Sequence, residues 1–514
     1  MRHAILIASL MLCGGARAQN VTFSTLAANA YGAGDVNSCA IALNNLTTVG
    51  NFQFAAYYDT GNNIVIGRRT VGTPTWQTYS TGISVLASEI TDDHNIIAIA
   101  VDSGGFLHMS WNMHNVTLNY AISNATVTGA ALGSVAFTKQ TAALASTLFP
   151  GSGTTTNEVT YPTFYNIPGS SNLLFAYRNG GAGGGSGNGN HYFNIYNPAT
   201  KTFSNNLVIN GIQTSVNAYL NNLVYTSTGN LLMSWTWRAT SNWQTNSNIM
   251  FAQSPDNGTS WYKQGGTTSY TLPIIQTGSP ATSVAQIIEN IPQNSSFINQ
   301  TSMAVDAADN PFIASYWAPG WNTTTNSGNP NRQYMLAYYT GSQWKTSQIS
   351  NRTSDAAIDT SGAAVRDLGR PIVLTDAKGH VLVVTRSENS AMGSYANPAT
   401  ANNDIVVYYN TVASLDSATP AAWQSVILDT ANMGAWEPTY DSALWAAQGK
   451  LNLLYEPIGL TGQTTGTLKV LEWDAAAYFA SVPEPTSAVL LSIAGLMCLC
   501  RPSRRQGSVN RVSR

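Results

Sequence analysis

Two histidines bracket a short stretch of this sequence in a way that suggests chemistry. The segment runs Asp92-Asp93-His94-Asn95, IIAIAVD (96–102), Ser103-Gly104-Gly105, FLHMSWN (106–112) and Met113-His114. Two apolar runs around a short Gly-containing loop predict a β-hairpin. If Asp102 faces Phe106, paired residue numbers sum to 208. That register sets His94 opposite His114, with side chains roughly 5 Å apart. The chain has 6 histidines in 514 residues, so two imidazoles at the open end of one hairpin stand out. Alone, the pair is compatible with a metal site or a general base. His108 shares the parity of His114 but sits mid-strand opposite Ala100, which marks it as a satisfied interior residue. His191, after a Gly-rich loop, and His380, in a turn, read as surface residues.

Four further segments carry side chains of the same chemical interest. They are Val159-Thr160-Tyr161-Pro162, Ala176-Tyr177-Arg178-Asn179-Gly180-Gly181, Val216-Asn217-Ala218-Tyr219 and Trp235-Thr236-Trp237-Arg238. The second runs into GGAGGGSGNGN (180–190), which holds Asn188 and Asn190. That loop lacks the strand–loop–helix context and the Lys of a phosphate-binding loop.

The elements that must position these residues are strands. Helical periodicity is nearly absent, and short β-branched and aromatic runs alternate with Gly, Asn and Asp turns. A hairpin unit recurs at 52–69, 100–111, 165–178, 225–237, 304–317, 374–386 and 441–456. Each unit leaves room for outer strands such as TWQTYST (75–81). Repeated four-stranded sheets at this spacing predict an all-β fold, a seven-bladed β-propeller. Ser254-Pro255-Asp256-Asn257-Gly258-Thr259-Ser260-Trp261 fits the Asp-box pattern S-x-D-x-G-x-x-W, which marks a blade turn and not a reactive group. In a propeller, strand entries on one face converge although they lie far apart in sequence.

Composition and the chain ends bound the function. Charged residues make up 9% of the chain and the net charge is −2, so no basic stripe points to nucleic acid. Outside the two ends only Cys39 remains, which excludes a disulfide framework or a Cys-based zinc site. Residues 1–18 read as a signal peptide, with an apolar run and Ala16-Arg17-Ala18 as the cleavage site. The body is then 19–480. In the tail, 481–514, Val482-Pro483-Glu484-Pro485 precedes a short apolar run and an Arg-rich end. This resembles the PEP-CTERM sorting signal of Gram-negative bacteria. The resemblance implies export through the inner membrane, processing by an exosortase-type membrane protease, and delivery to the cell surface or exterior.

From about 52 to 320 the chain resembles the BNR-4 repeat family, which includes the ulvan lyases of polysaccharide lyase families 24 and 25. The carriers are Asp93-His94-Asn95, Asn112-Met113-His114, Thr160-Tyr161-Pro162, Tyr177-Arg178-x-Gly-Gly, Gly187-Asn188-Gly189-Asn190, Asn217-Ala218-Tyr219 and Trp237-Arg238. The resemblance implies a propeller that cleaves an acidic, uronate-containing polysaccharide by β-elimination. That chemistry removes the weakly acidic C5 proton of the uronate and expels the C4 oxygen. The carboxylate charge must be neutralised, a base must take the proton and an acid must protonate the leaving oxygen. By resemblance, His94 and Tyr161 serve proton transfer, with cationic neighbours lowering the phenol pKa. Arg178 and His114 neutralise the carboxylate, and Tyr219, Asn188, Arg238 and Asn112 bind substrate. No metal or other cofactor is required. Some family members hold a metal with Cys or His in later blades, where this chain has no Cys and an isolated His380. Structural calcium on Asp and backbone oxygens stays compatible with the sequence. Two other readings remain: a non-catalytic propeller that binds glycan or lies in an extracellular matrix, and a sialidase-like hydrolase. The carboxylates near the motifs, Asp92, Asp93 and Glu158, do not supply the acid and nucleophile set of a sialidase.

Overall fold

A computed structural model describes residues 16–481 except 19, 40, 42, 130, 140–147, 150–156, 182–188, 354–367, 389–402, 432, 434–436 and 458–463. Nearly all of the expected signal peptide and sorting tail, and Asn188, therefore lie outside the described residues. Among the described residues no helix is long and apolar enough to cross a membrane.

Seven antiparallel sheets form a seven-bladed β-propeller. The innermost strands, in chain order, are Leu46–Val49, Ile97–Val101, Val159–Asn166, Asn217–Tyr225, Ser302–Val305, Ile372–Thr375 and Thr439–Tyr440. Blades one to seven are numbered by these strands. Inner and outer strands differ in pattern for a physical reason. Ile97–Val101 and Leu107–Trp111 are buried along their whole length, because each lies between two neighbouring blades. The outer strand Gln77–Ser84 is mostly exposed or half-buried.

The core is correspondingly divided into layers between blades. Phe54, Ile64 and Ile66 of blade one pack with Ile97, Met109 and Trp111 of blade two. Trp235 and Met233 of blade four meet Leu174 and Phe193 of blade three. Similar layers follow around the ring, ending where Leu454 and Leu468 of blade seven meet Leu46 and Ala55 of blade one. Burial of each large apolar side chain contributes about 1.5–3 kcal/mol, so every blade is stabilised mainly by its two neighbours.

The ring closes by mixing chain ends within one sheet. Val21–Tyr31 forms the outermost strand of blade seven and pairs antiparallel with Thr465–Asp474, from Val21↔Trp473 to Tyr31↔Thr465. Ala16–Arg17 adds only a two-residue parallel edge beside Val426 and Ile427 in blade six.

The recurring hairpins fall on the first and second strands of blades two to six. Two units differ. The segment 52–69 is the second and third strands of blade one, Phe52–Tyr58 and Asn63–Thr70. The inner strand Leu46–Val49 turns through Gly50 and Asn51 before it; it is too short and polar to stand out. In 441–456 a helix, Ser442–Gln448, occupies the turn. Asp441 caps its N-terminus by accepting from the Leu444 N–H, and Gly449 ends it in the left-handed region. The Asp box behaves as read: Asp256 accepts from the Ser260 N–H at 2.8 Å, and the buried Trp261 donates to the Gly258 carbonyl at 3.0 Å.

Closure sets a test. Truncation through residue 20 should leave a single cooperative unfolding transition. Truncation through Tyr31 should lower and broaden it, because Leu468 and Leu471 lose their covering strand. Equal thermal transitions for the two truncations, followed by circular dichroism, would show that the closing strand is dispensable.

Candidate functional site

The site lies at the mouth where the inner strands begin. A cleft of about 210 Å³ there is lined by His94, Tyr161, Arg238, Asn299, Arg370 and Glu437, among others. A larger cavity, about 810 Å³, opens at the opposite mouth, where the inner strands end. Among the described residues its only charged lining groups are Asp376 and Lys378. The reactive side chains therefore gather in the smaller space.

The histidine hairpin keeps the expected register, from Ile97↔Trp111 to Val101↔Leu107. The ladder stops at Ile97, however, and does not itself pair the two histidines. His94 sits in a turn before the strand, held by an Asp92 side chain that accepts from the His94 N–H at 3.0 Å. After Trp111 the chain turns at Asn112, whose φ is 51°, and leaves blade two. His114–Val116 then crosses to pair with Val159 and Thr160 at the start of blade three. The rings still meet: their centroids are 4.1 Å apart with 22° between planes. What joins them is Asp92. Its two oxygens lie 2.7 Å from His94 Nδ1 and 2.5 Å from His114 Nδ1.

Tyr161 enters from blade three. Its φ is 56°, in the left-handed region, at a bulge in the pairing between Thr160 and Thr163. A residue before proline normally stays extended, so this backbone carries strain of about 1–3 kcal/mol. The strained turn places the Tyr161 ring 5.6 Å from His94 and 6.0 Å from Tyr219.

Arg178 is packed behind these rings, 1% exposed. Its guanidinium carbon lies 5.0 Å from the Tyr161 ring and 5.4 Å from the Tyr219 ring. Nη2 reaches Asn115 Oδ1 at 3.4 Å, while Nε and Nη1 have no hydrogen-bond partner. Two cation–π contacts return about 0.5–2 kcal/mol each, less than the several kcal/mol of burying a guanidinium. The arrangement thus favours an anion, and a neighbouring side chain must shift for one to touch Arg178. Gly189 explains how the arginine fits: a Cβ there would stand 2.5 Å from Arg178 Cγ and 2.6 Å from Cδ.

Arg238 lines the cleft directly, 5.2 Å above the Tyr219 ring. It donates to the carbonyls of Thr240 and Ser241. Asn112 is buried with an unpartnered Oδ1. The opposite wall was not anticipated from sequence: Arg370 donates to Glu437 at 3.0 Å and to the Asn299 carbonyl at 2.9 Å. Asp92 as a bridge, Asn115, and the close approach to Arg178 that requires Gly189 were also missed. Only Asp92 leaves a local sign, an Asp two residues before a His, which reads as an ordinary turn.

The electrostatics correct one expectation. Burial pushes the Tyr161 phenol well above its ordinary value, and Tyr219 adds to this; Arg178, Arg238 and Arg370 pull the other way without prevailing. Burial also lowers His94, against the raising effect of the Asp92 hydrogen bond, and the charges of His114 and Arg178 lower it further. Both shifts favour the neutral forms, a protonated Tyr161 phenol and an uncharged His94 imidazole.

The other histidines divide. His108 is interior as expected, bonded to Tyr120 Oη at 2.6 Å and Asp102 at 3.2 Å. His191 and His380 are not surface residues; they are 2% and 4% exposed. His191 Nε2 bonds the Ala218 carbonyl at 2.6 Å, and His380 Nδ1 bonds Asp376 at 2.6 Å. Both flank turns yet begin or sit within strands covered by neighbouring elements, which local composition does not reveal.

Among the described residues, Asp92, His94 and His114 form a group whose atoms lie close enough to hold a metal ion. Ligands of a tetrahedral zinc stand about 3.3 Å apart, given bonds of about 2.0–2.1 Å. At 2.5 and 2.7 Å the carboxylate is instead hydrogen-bonded to both rings, so the trio as arranged does not fit an ion between these atoms.

A family model for the BNR repeat-containing family (BNR_4) matches residues 52–352, more than half of the sequence. The chain belongs to this family. Among solved structures, this BNR-repeat chain is similar to polysaccharide lyase Uly1, at 12% identity and TM-score 0.62, covering 88% of this chain and 99% of that one. It is also similar to a PL25 ulvan lyase bound to -[GlcA(1-4)Rha3S]-, at 11% identity and TM-score 0.57, covering 90% and 99%. At such identities the likeness shows the fold. Among curated proteins, none matches the sequence.

His191 yields a prediction independent of activity. Burial lowers its pKa from 6.5 to about 3, the Ala218 hydrogen bond opposing and Arg178 assisting. Below pH 6.5 the unfolded chain binds a proton that the folded BNR-repeat protein refuses, so stability falls with pH. In urea unfolding, His191→Gln should flatten that fall. Identical pH slopes would mean that His191 is not held neutral.

Proposed function

We propose that this protein is a polysaccharide lyase that cleaves a uronate-containing, ulvan-like polymer by β-elimination. The observation that carries the reading is the convergence of His94, His114, Tyr161 and Tyr219 around a buried Arg178 with two unpartnered donors. The polysaccharide lyases of the same fold support it. An exported chain, as the end signals suggest, would meet such a polymer outside the cell.

The proton transfers follow from this reading. Neutral His94 takes the C5 proton. Tyr161, protonated and 5.6 Å from His94 ring to ring, delivers a proton to the C4 oxygen as the C4–O4 bond breaks and the C4=C5 double bond forms. Arg178 offsets the uronate carboxylate from behind the tyrosine rings, and His114 donates to it through Nε2. Tyr219, Arg238, Asn112 and Asn188 complete the subsite. Neither Arg178 nor Tyr161 needs a metal to play its part.

The test is ultraviolet absorbance of the unsaturated uronate during incubation with ulvan, glucuronan, alginate, pectate and glycosaminoglycans. One of them should give a rising signal. His94→Ala, Tyr161→Phe and Arg178→Ala should each lower kcat/KM by about 10²–10⁴-fold. Gly189→Ala should lower it too, with the thermal transition kept, by displacing the Arg178 stem. Binding of polymer without any absorbance change would establish a glycan-binding propeller instead. Because burial lowers His94 below the ordinary 6.5, the acid limb of kcat/KM should fall below that pH. A limb above it would remove His94 from the role of base.

A further inference from the structure

Asp92 bonds one oxygen to Nδ1 of each ring, at 2.7 Å for His94 and 2.5 Å for His114. An ionised carboxylate only accepts hydrogen bonds. Burial pushes the Asp92 carboxyl up, but bonds from His114, His94 and the His94 backbone N–H hold it well below the usual carboxylate range. Both Nδ1 atoms must then carry the hydrogen. A neutral imidazole can place its hydrogen on either nitrogen; here the same one is selected in both rings. Neither Nε2 is hydrogen-bonded to a described residue, and neither is buried.

We propose that Asp92 is a positioning residue: it keeps a hydrogen on Nδ1 of both His94 and His114, so that Nε2 is the working atom of each ring, an acceptor when bare and a donor only when that ring carries a second proton. The stacking supports this. One carboxylate compensates one added proton, and a second would set two like charges on rings 4.1 Å apart. The groups facing His94 are Asp92, His114, Tyr161 and Arg178, of which only Asp92 is anionic. When one ring of the unit takes a second proton, its Nε2 donates while the Nε2 of the other ring stays bare. A base and a donor side by side are what the elimination needs.

The working roles of the two Nε2 atoms rest on the lyase reading; the tautomers do not. The deciding measurement is nitrogen NMR of the intact protein labelled with ¹⁵N-histidine. Neutral His94 and His114 should both show a protonated Nδ1 and a bare Nε2. In Asp92→Asn the amide offers one acceptor oxygen and one donor group, so one ring must switch its hydrogen to Nε2. That variant should lose about 10²-fold or more in kcat with KM little changed, and its pH profile should shift. Asp92→Glu should recover part of kcat and the paired Nδ1–H signals. Nε2–H tautomers on either ring of the unaltered protein would overturn the proposal. So would an Asp92→Asn variant with unchanged tautomers and kcat. If Asp92→Asn fails to fold, the tautomers of the unaltered protein still decide. If the tautomers are as expected and no uronate polymer is cleaved, the lyase reading fails and the assignment of Asp92 stands.

Discussion

The pairing of Val21–Tyr31 with Thr465–Asp474 is the constraint on which the rest of this molecule depends. No blade is a stable object alone, because its two faces are apolar and must be covered by neighbours. A ring supplies two neighbours to every blade only if it closes. Here the closing bond is spread over a long antiparallel ladder between the two ends of the described chain. Hydrogen bonds in that ladder each contribute about 0.5–1.5 kcal/mol, and the apolar layer beneath adds more.

Closure also explains why the site sits where it does. Each inner strand begins at the same mouth, so the residues just before or at its start point into one space. His94 and Tyr161 arrive in this way from successive blades, with Tyr219 of the next packed behind Tyr161, and Arg370 and Glu437 come from later ones. The opposite mouth collects the other strand ends, largely aliphatic side chains with a few aromatic and amide ones. The same topology thus builds one mouth where charged and aromatic groups cluster and one that is mostly aliphatic.

Much of this was legible in the chain. The hairpin register at 97–111 could be read because both strands are short and mostly apolar and the loop between them is short. The blade rhythm was visible in five of the repeats and was displaced in blade one, whose inner strand is polar and brief. The nearness of His94 and His114 was anticipated on cross-strand pairing, yet a carboxylate outside the ladder brings it about. Contacts that span blades left no local sign: His191 is buried by a carbonyl of blade four, and Arg178 by rings from blades three and four. The Tyr161 phenol was expected to be lowered by its cationic neighbours. Its enclosure outweighs them, which no spacing along the chain discloses.

The crossing segment His114–Val116 belongs to the sequence of blade two and to the sheet of blade three. Its own hydrogen bonds therefore span the seam between two blades, and its imidazole is tethered to Asp92 on the far side of that seam. Any change in the angle between these blades stretches the Asp92–His114 contact directly. The imidazole pair is placed like a strain gauge across a joint: its spacing reports the angle between the two blades.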